Sequence, residues 1–201
     1  MKNVHFPAGF TQTSGHKEGR EWFYGRTIIP LAKLWMEYVQ NLDLTIVNPT
    51  GVPTDGPAML AVNHTGYWDY VYSGIPAHFH GGRLVRYMAK KEIFDTPVAG
   101  TVMRLCKHIP VDRAAGEESV KEAVARLKGG ELIGIFPEAT ISRSFEVKEF
   151  RTGAARIARL AGVPLIPIIV WGAKDVDQGL QAQLAACRRQ QWCDRHGRRA
   201  G

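Results

Sequence analysis

The stretch Ala58-Met59-Leu60-Ala61-Val62, running into Asn63-His64, constrains this chain most. Five apolar residues in unbroken succession follow the turn signal Asp55-Gly56-Pro57 and read as a strand buried on both faces. Such a strand needs cover on both sides. Leu132 to Phe136 and Leu165 to Val170 are of the same kind, the latter expected in the core or as the wall of an apolar groove. Leu84 to Ala89 and His108 to Val111 read as shorter strands. Between them lie segments of helical period: Asp69 to Phe79, Pro97 to Cys106, Glu117 to Leu127 with Gly129-Gly130 as its stop, and Thr152 to Leu160 closed by Gly162. Alternating strands and helices predict an α/β fold, a central mostly parallel sheet flanked by helices. Ligands of such sheets bind beyond the carboxyl ends of the strands. His64, Asp112 and Glu138 each follow a strand directly and are expected on one rim.

Upstream of the sheet, Ile28, Leu31, Trp35, Tyr38 and Leu42 recur at helical spacing, with Arg26, Lys33, Glu37 and Gln40 on the other side. Pro30 suits a first helical turn, and Trp22, Phe23, Tyr24 and Trp35 crowd rings into the segment. This predicts an N-terminal amphipathic helix over 21–42. Its apolar face has two destinations, packing on the domain or lying in a membrane interface. Residues 1–20 are polar and glycine-rich and read as a loosely held arm. Leu42 to Val47 alternates as a half-buried strand does. The chain thus divides into an arm with its helix (1–42), an α/β domain (43–172) and a tail (173–201).

The formal net charge is +7, but five arginines and one aspartate after Ala185 account for four of those charges. The basic excess is therefore a property of the tail. Its cations are not interleaved with aromatics on a shared face, which argues against a nucleic-acid binder. The strand pattern stops after Gly172. A genuine short basic tail is one account, and a shift of reading frame near residue 175 is the other. Cys106, Cys187 and Cys193 have no metal spacing. With no secretory leader and no run of about 18 apolar residues, the expected setting is the reducing cytoplasm, without a spanning helix.

Three polar blocks carry chemistry. In Asn63-His64-Thr65-Gly66-Tyr67-Trp68-Asp69, the imidazole and the carboxylate can meet across one tight turn, a base and its orienter. No serine or cysteine stands at a strand-to-helix elbow, so the proton is expected to come from a substrate hydroxyl. Taken alone, a His-x4-Asp spacing is more often a satisfied histidine. In Lys107 to Arg113, cations bracket a short strand and could hold a phosphate, Arg113 with a bidentate fork; taken alone, a surface ion pair between Asp112 and Arg113 is the commoner outcome. Phe136 to Arg143 breaks a strand at Pro137 into a loop bearing Glu138, Thr140, Ser142 and Arg143, with Lys148 and Arg151 close behind. That loop could grip a hydroxylated, phosphorylated headgroup, or be an ordinary solvated connection.

In this order the blocks resemble the glycerolipid acyltransferase family, of lysophosphatidic acid and glycerol-3-phosphate acyltransferase type. Asn63, His64 and Asp69 match its Asn-His-x4-Asp motif; Ile109 to Arg113 match its Pro-Val-Asp-Arg block; Phe136 to Thr140 match Phe-Pro-Glu-Gly-Thr; and Val163 to Ile168 match Val-Pro-Ile-Ile-Pro-Val. The resemblance covers roughly residues 45 to 172. Two positions depart, Ala139 where the family has glycine and Ile141 where it often has arginine. The resemblance implies acyl transfer from a thioester, acyl-CoA or acyl–acyl carrier protein, to a hydroxyl of a lysophospholipid in phospholipid biosynthesis. His64 and Asp69 would be catalytic. Arg113, Glu138, Thr140, Arg143 and Lys107 would bind substrate, and amides near Thr65 and Gly66 would stabilise the oxyanion. No metal or bound cofactor is implied, and the enzyme would dock peripherally on the cytoplasmic face of the membrane. Acylation of another lysolipid or glycolipid, or a catalytically silent lipid-binding role, are the alternatives.

Overall fold

In the computed structural model, residues 3–112, 116–142 and 148–173 are described. The chain begins with β1 (Val4–His5), which pairs in parallel with β2 (Leu44–Thr45) across the N-terminal helical segment. That segment runs from Tyr24 to Val39 in three parts, a π-helical turn (Tyr24–Ile28), α1 (Ile29–Leu34) and a second π-helical turn (Trp35–Val39). The single regular amphipathic helix expected over 21–42 is replaced by this broken one. Its wider end turns rotate the faces. Met36, Ala32 and Lys33 lie toward the domain, Lys33 over the Phe79 ring, while Leu31, Leu34 and Tyr38 are exposed.

The arm, expected to be loosely held, is pinned instead where it is described, at residues 3–20. Glu18 is buried and accepts from Arg83 Nε and Nη2, each at 3.1 Å, and from the Leu84 amide at 3.0 Å. Arg83 is fully buried and also donates to the carbonyls of Gly56 and Gly130. The approach is close enough that a Cβ on Gly19 would come within 2.6 Å of the Gly82 carbonyl oxygen, so only glycine fits there.

The central sheet holds five parallel strands, β3 (Ala58–Val62), β4 (Val85–Lys90), β5 (Ile109–Val111), β6 (Leu132–Ile135) and β7 (Leu165–Ile168), in the order β5-β4-β6-β3-β7. Between β3 and β4 lie α2 (Asp69–Tyr72) and α3 (Ile75–Gly81), the expected single helix being split at Gly74, with a proline in the first turn of α3. Then come α4 (Lys91–Phe94) and α5 (Pro97–Leu105), α6 (Gly116–Lys128) between β5 and β6, and α7 (Gly153–Ala161) before β7.

The two-residue period of the strands sorts their side chains into two cores. Leu60, Val62, Val85 and Tyr87 face Tyr72, Ile75 and Met36 on one side. Met59, Met88 and Ile133 face Ala123, Leu127, Ile157 and Ala158 on the other. This is why β3 and β6 read as unbroken apolar runs. β7 departs from the expectation of a core strand: it is an edge, paired only with β3 among the described residues, and Leu165 and Ile169 are exposed.

The two neighbours β3 and β6 send the chain to opposite faces, to α2–α3 and to α7 respectively. In parallel sheets the carboxyl ends of two such diverging strands are where a ligand is expected to bind.

Candidate active site

Strand register puts the expected residues on one rim. Ala61 is level with Ile135, and just past the ends of these two strands His64 and Glu138, each three residues on, meet at the His64 N–H. Tyr87 is level with Gly134 and Met88 with Ile109, which brings Asp112 to the same height. Laterally they differ. Glu138 follows the strand next to His64, whereas Asp112 stands three strands away, roughly 14 Å at the usual spacing, where it accepts from Lys91 at 3.0 Å.

Asn63 straps the end of β3 to the chain beyond β7: its Nδ2 donates to the Val170 carbonyl at 2.9 Å, and its Oδ1 accepts the Val170 amide at 2.7 Å. This buried pair fixes where His64 begins. His64 is then held at both backbone ends. Its N–H donates to Glu138 Oε1 at 2.8 Å, and its carbonyl accepts the Ser142 N–H at 2.7 Å. The imidazole stacks on Phe136, ring centroids 4.2 Å apart and planes 27° apart, and Phe136 stacks in turn on Tyr87.

Across the turn, His64 Nδ1 lies 3.1 Å from Asp69 Oδ2. A carboxylate accepts, so Nδ1 carries the proton and Nε2 keeps its lone pair. Asp69 has no exposed surface, while a fifth of the imidazole remains open. The same Oδ2 accepts the N–H groups of Thr65 at 2.6 Å and Gly66 at 2.8 Å. This corrects the expectation that those two amides serve an oxyanion. Asp69 opens α2 and its side chain turns back onto the free amides of the preceding turn, which rigidifies the orienter instead.

Glu138, expected to bind substrate, also braces the backbone. It is buried, and its second oxygen accepts the Lys148 N–H at 3.1 Å, so the carboxylate staples three loop segments together by backbone contacts. Thr140 is exposed on the same loop, and its Oγ1 accepts from Lys148 Nζ at 3.1 Å. Lys107 is not brought to the site. It precedes β5, and its ammonium lies 3.2 Å from a Glu21 carboxylate oxygen. Arg113, Arg143 and the basic tail lie outside the described residues. Sequence reasoning missed Phe136 as a stacking partner and the Ser142 amide as an anchor. An aromatic residue before Pro-Glu was the available signal for the first; nothing local marks the second.

On the α2–α3 side of the sheet, a cavity of about 460 Å³ opens between the N-terminal helix, α2–α3, the amino end of β4 and α5, and reaches Trp68, the residue before Asp69. Leu31, Trp35, Trp68, Val71, Ile75 and Val102 are among its apolar walls. Lys33 and Arg83 also line it, and its two histidines are held neutral. Burial pushes His108 down to about 3, helped by the Arg86 and Arg126 charges, and pushes His78 down to about 4, helped by Lys33. Burial lifts the Cys106 thiol to about 11. Among the described residues, no group of three or more His, Cys, Asp or Glu side chains is gathered as a metal site.

Residues 43–171 match the Acyltransferase family model. The chain is 34% identical over 131 residues to the 1-acyl-sn-glycerol-3-phosphate acyltransferase of Bacillus subtilis, covering 63% of this chain and 62% of that protein. It is 28% identical over 149 residues to a chloroplastic 1-acyl-sn-glycerol-3-phosphate acyltransferase of Arabidopsis thaliana, covering 73% of this chain and 38% of that one. The matched part thus spans less than two thirds of either relative. A crystal structure of the 1-acyl-sn-glycerophosphate acyltransferase PlsC from Thermotoga maritima overlaps 62% of this chain and 47% of its own at 25% identity, with a TM-score of 0.49.

Proposed function

Because this chain belongs to the Acyltransferase family, we propose that it transfers a fatty acyl group from a thioester donor, acyl-CoA or acyl–acyl carrier protein, to a hydroxyl of a lysophospholipid, with lysophosphatidic acid the preferred acceptor. The observation that carries this reading is the His64–Asp69 pair, tied through Nδ1 at 3.1 Å on a rim where the imidazole stays open. In the reaction, Nε2 takes the proton of the acceptor hydroxyl. The hydroxyl oxygen bonds to the thioester carbonyl carbon, the C–S bond breaks, and the imidazolium returns its proton to the leaving thiolate. Asp69 stabilises the imidazolium in between. The neighbouring apolar cavity suits the acyl chain. Arg113 and Arg143 are proposed as phosphate ligands, and Glu138 as the brace that positions His64.

Location follows from the same reading. No helix among the described residues is long and apolar enough to cross a membrane. The exposed Leu31, Leu34 and Tyr38, with Trp22 just before it, give the N-terminal helix an outward apolar face, and we assign to it peripheral docking on the cytoplasmic face of the cell membrane. Ile141, in place of the family's arginine, favours one second reading, acylation of a lysolipid with a different headgroup.

The test is acyl transfer measured with a panel of lysolipids and both donor types, on the wild type and His64→Ala. Loss of roughly 10²–10⁴-fold in kcat is expected on removing the base. Activity that survives the substitution overturns the mechanism, and donor hydrolysis without acceptor would reassign the protein as a thioesterase.

A further inference from the structure

If the acceptor is a lysolipid with a phosphate, as proposed above, its phosphate lies one glycerol carbon from the attacking hydroxyl. A cation that holds it must therefore stand beside His64. The Glu138 carboxylate spans that interval: Oε1 holds the His64 N–H at 2.8 Å and Oε2 holds the Lys148 N–H at 3.1 Å. One buried side chain thus fixes the backbones of the base and of a lysine side by side. The Lys148 ammonium then lies back along the loop, 3.1 Å from Thr140 Oγ1 and 3.2 Å from the Ile141 carbonyl oxygen. Both partners are neutral acceptors. Two other candidate cations are already matched by carboxylates, Lys91 by Asp112 at 3.0 Å and Lys107 by Glu21 at 3.2 Å. Lys148 is exposed and has no ion pair with any described residue. Its charge is uncompensated by them and it stands over the position where the side chain of residue 141 is apolar.

We infer that Lys148 binds the phosphate monoester of the acceptor, with the Thr140 hydroxyl as its companion. The lysine side chain supplies the positive charge that Ile141 cannot. An ammonium on a flexible stem can leave the Ile141 carbonyl for a phosphate oxygen without moving the loop, because the backbone anchor on Glu138 is separate from the side-chain contacts. Thr140 Oγ1, now an acceptor, can rotate to donate to the same phosphate.

The experiment compares wild type, Lys148→Met and Lys148→Arg in steady-state acyl transfer. The acceptors are lysophosphatidic acid and the unphosphorylated 1-monoacylglycerol, with acyl-CoA as donor. Lys148→Met is expected to raise KM for lysophosphatidic acid by roughly tenfold or more, the usual effect of losing a charge-assisted contact. Its kcat, its KM for acyl-CoA and its rate on monoacylglycerol should stay within about twofold. Lys148→Arg should recover most of the lost affinity. An unchanged KM for lysophosphatidic acid overturns the inference. So does an equal loss on both acceptors, which would mark Lys148 as a loop staple, and so does a rise confined to acyl-CoA, which would place the cation on the donor's phosphates. Absence of transfer by the wild type to every lysolipid, alongside an unaltered His64→Ala, would instead remove the acyltransferase reading on which this one rests.

Discussion

Ala139 sits in the left-handed backbone region with φ at +56°, at the turn where its N–H donates to the Phe136 carbonyl at 3.0 Å. A Cβ in that conformation crowds the following carbonyl and costs about 1–2 kcal/mol. Here lies the physical reason for a glycine at this place in the family motif. Ala139→Gly is expected to raise the unfolding free energy by about 1 kcal/mol, part of the relief being offset by a freer unfolded chain. Urea unfolding reads this as a higher midpoint at constant slope; a lower midpoint would count against the strain. The same scale explains why Asp69 is held so firmly. Three donors converge on its Oδ2, and the imidazole is only one of them.

Among the elements, the N-terminal segment does two jobs on opposite sides. Its inner side closes the core with Tyr24 and Met36, and the buried Glu18–Arg83 pair precedes it. Deleting residues 1–42 would therefore unfold the sheet's cover along with any membrane contact. Substituting only the outer side separates the two. Leu34→Ser and Tyr38→Ser together should leave thermal stability nearly unchanged and lower co-sedimentation with phosphatidylglycerol vesicles several-fold, since apolar area drives such docking. Undiminished co-sedimentation would remove the helix from the docking surface. For the inner side, Glu18→Ala strands a buried guanidinium that retains only carbonyl partners. Breaking such a pair from one side costs about 3–5 kcal/mol, or roughly 10 °C in Tm for a chain of this size. A shift below 2–3 °C, about 1 kcal/mol, would show that the carbonyls suffice.

Over the whole molecule, stability should depend on pH through the neutral buried histidines. His108 accepts the Tyr87 N–H at 2.9 Å through Nδ1, and burial together with the Arg86 and Arg126 charges holds it near 3. The unfolded chain takes up that proton near pH 6.5. Below pH 6.5 the unfolded state binds the proton and the folded state does not, so stability falls as pH drops and is fully present above 6.5. One such group contributes a slope of about 1.4 kcal/mol per pH unit between roughly pH 6 and 4. His78, pushed down to about 4, acts in the same direction. In His108→Asn the difference in unfolding free energy between pH 7.5 and 4.5 should shrink relative to wild type. An equal pH dependence in the two proteins would show that His108 is not the group that titrates.

The sequence by itself determined the fold class, the rim and the pairing of His64 with Asp69. Each is a local property: an apolar run announces a strand, a helical period the cover over it, and a five-residue interval closes one turn. Family blocks added the chemistry. Tertiary structure alone decided which strands are neighbours, and with that the distances. Glu138 meets His64 across 74 residues of chain, Asn63 meets Val170 across 107 and Glu18 meets Arg83 across 65. No local pattern encodes such meetings, because pairing among parallel strands is a choice between globally different arrangements. The same choice left Lys107 beside Glu21, made β7 an edge among the described residues, turned Leu31 and Tyr38 outward and engaged the amides of Thr65 and Gly66 on Asp69. A backbone donor's partner is fixed only when the chain has closed around it.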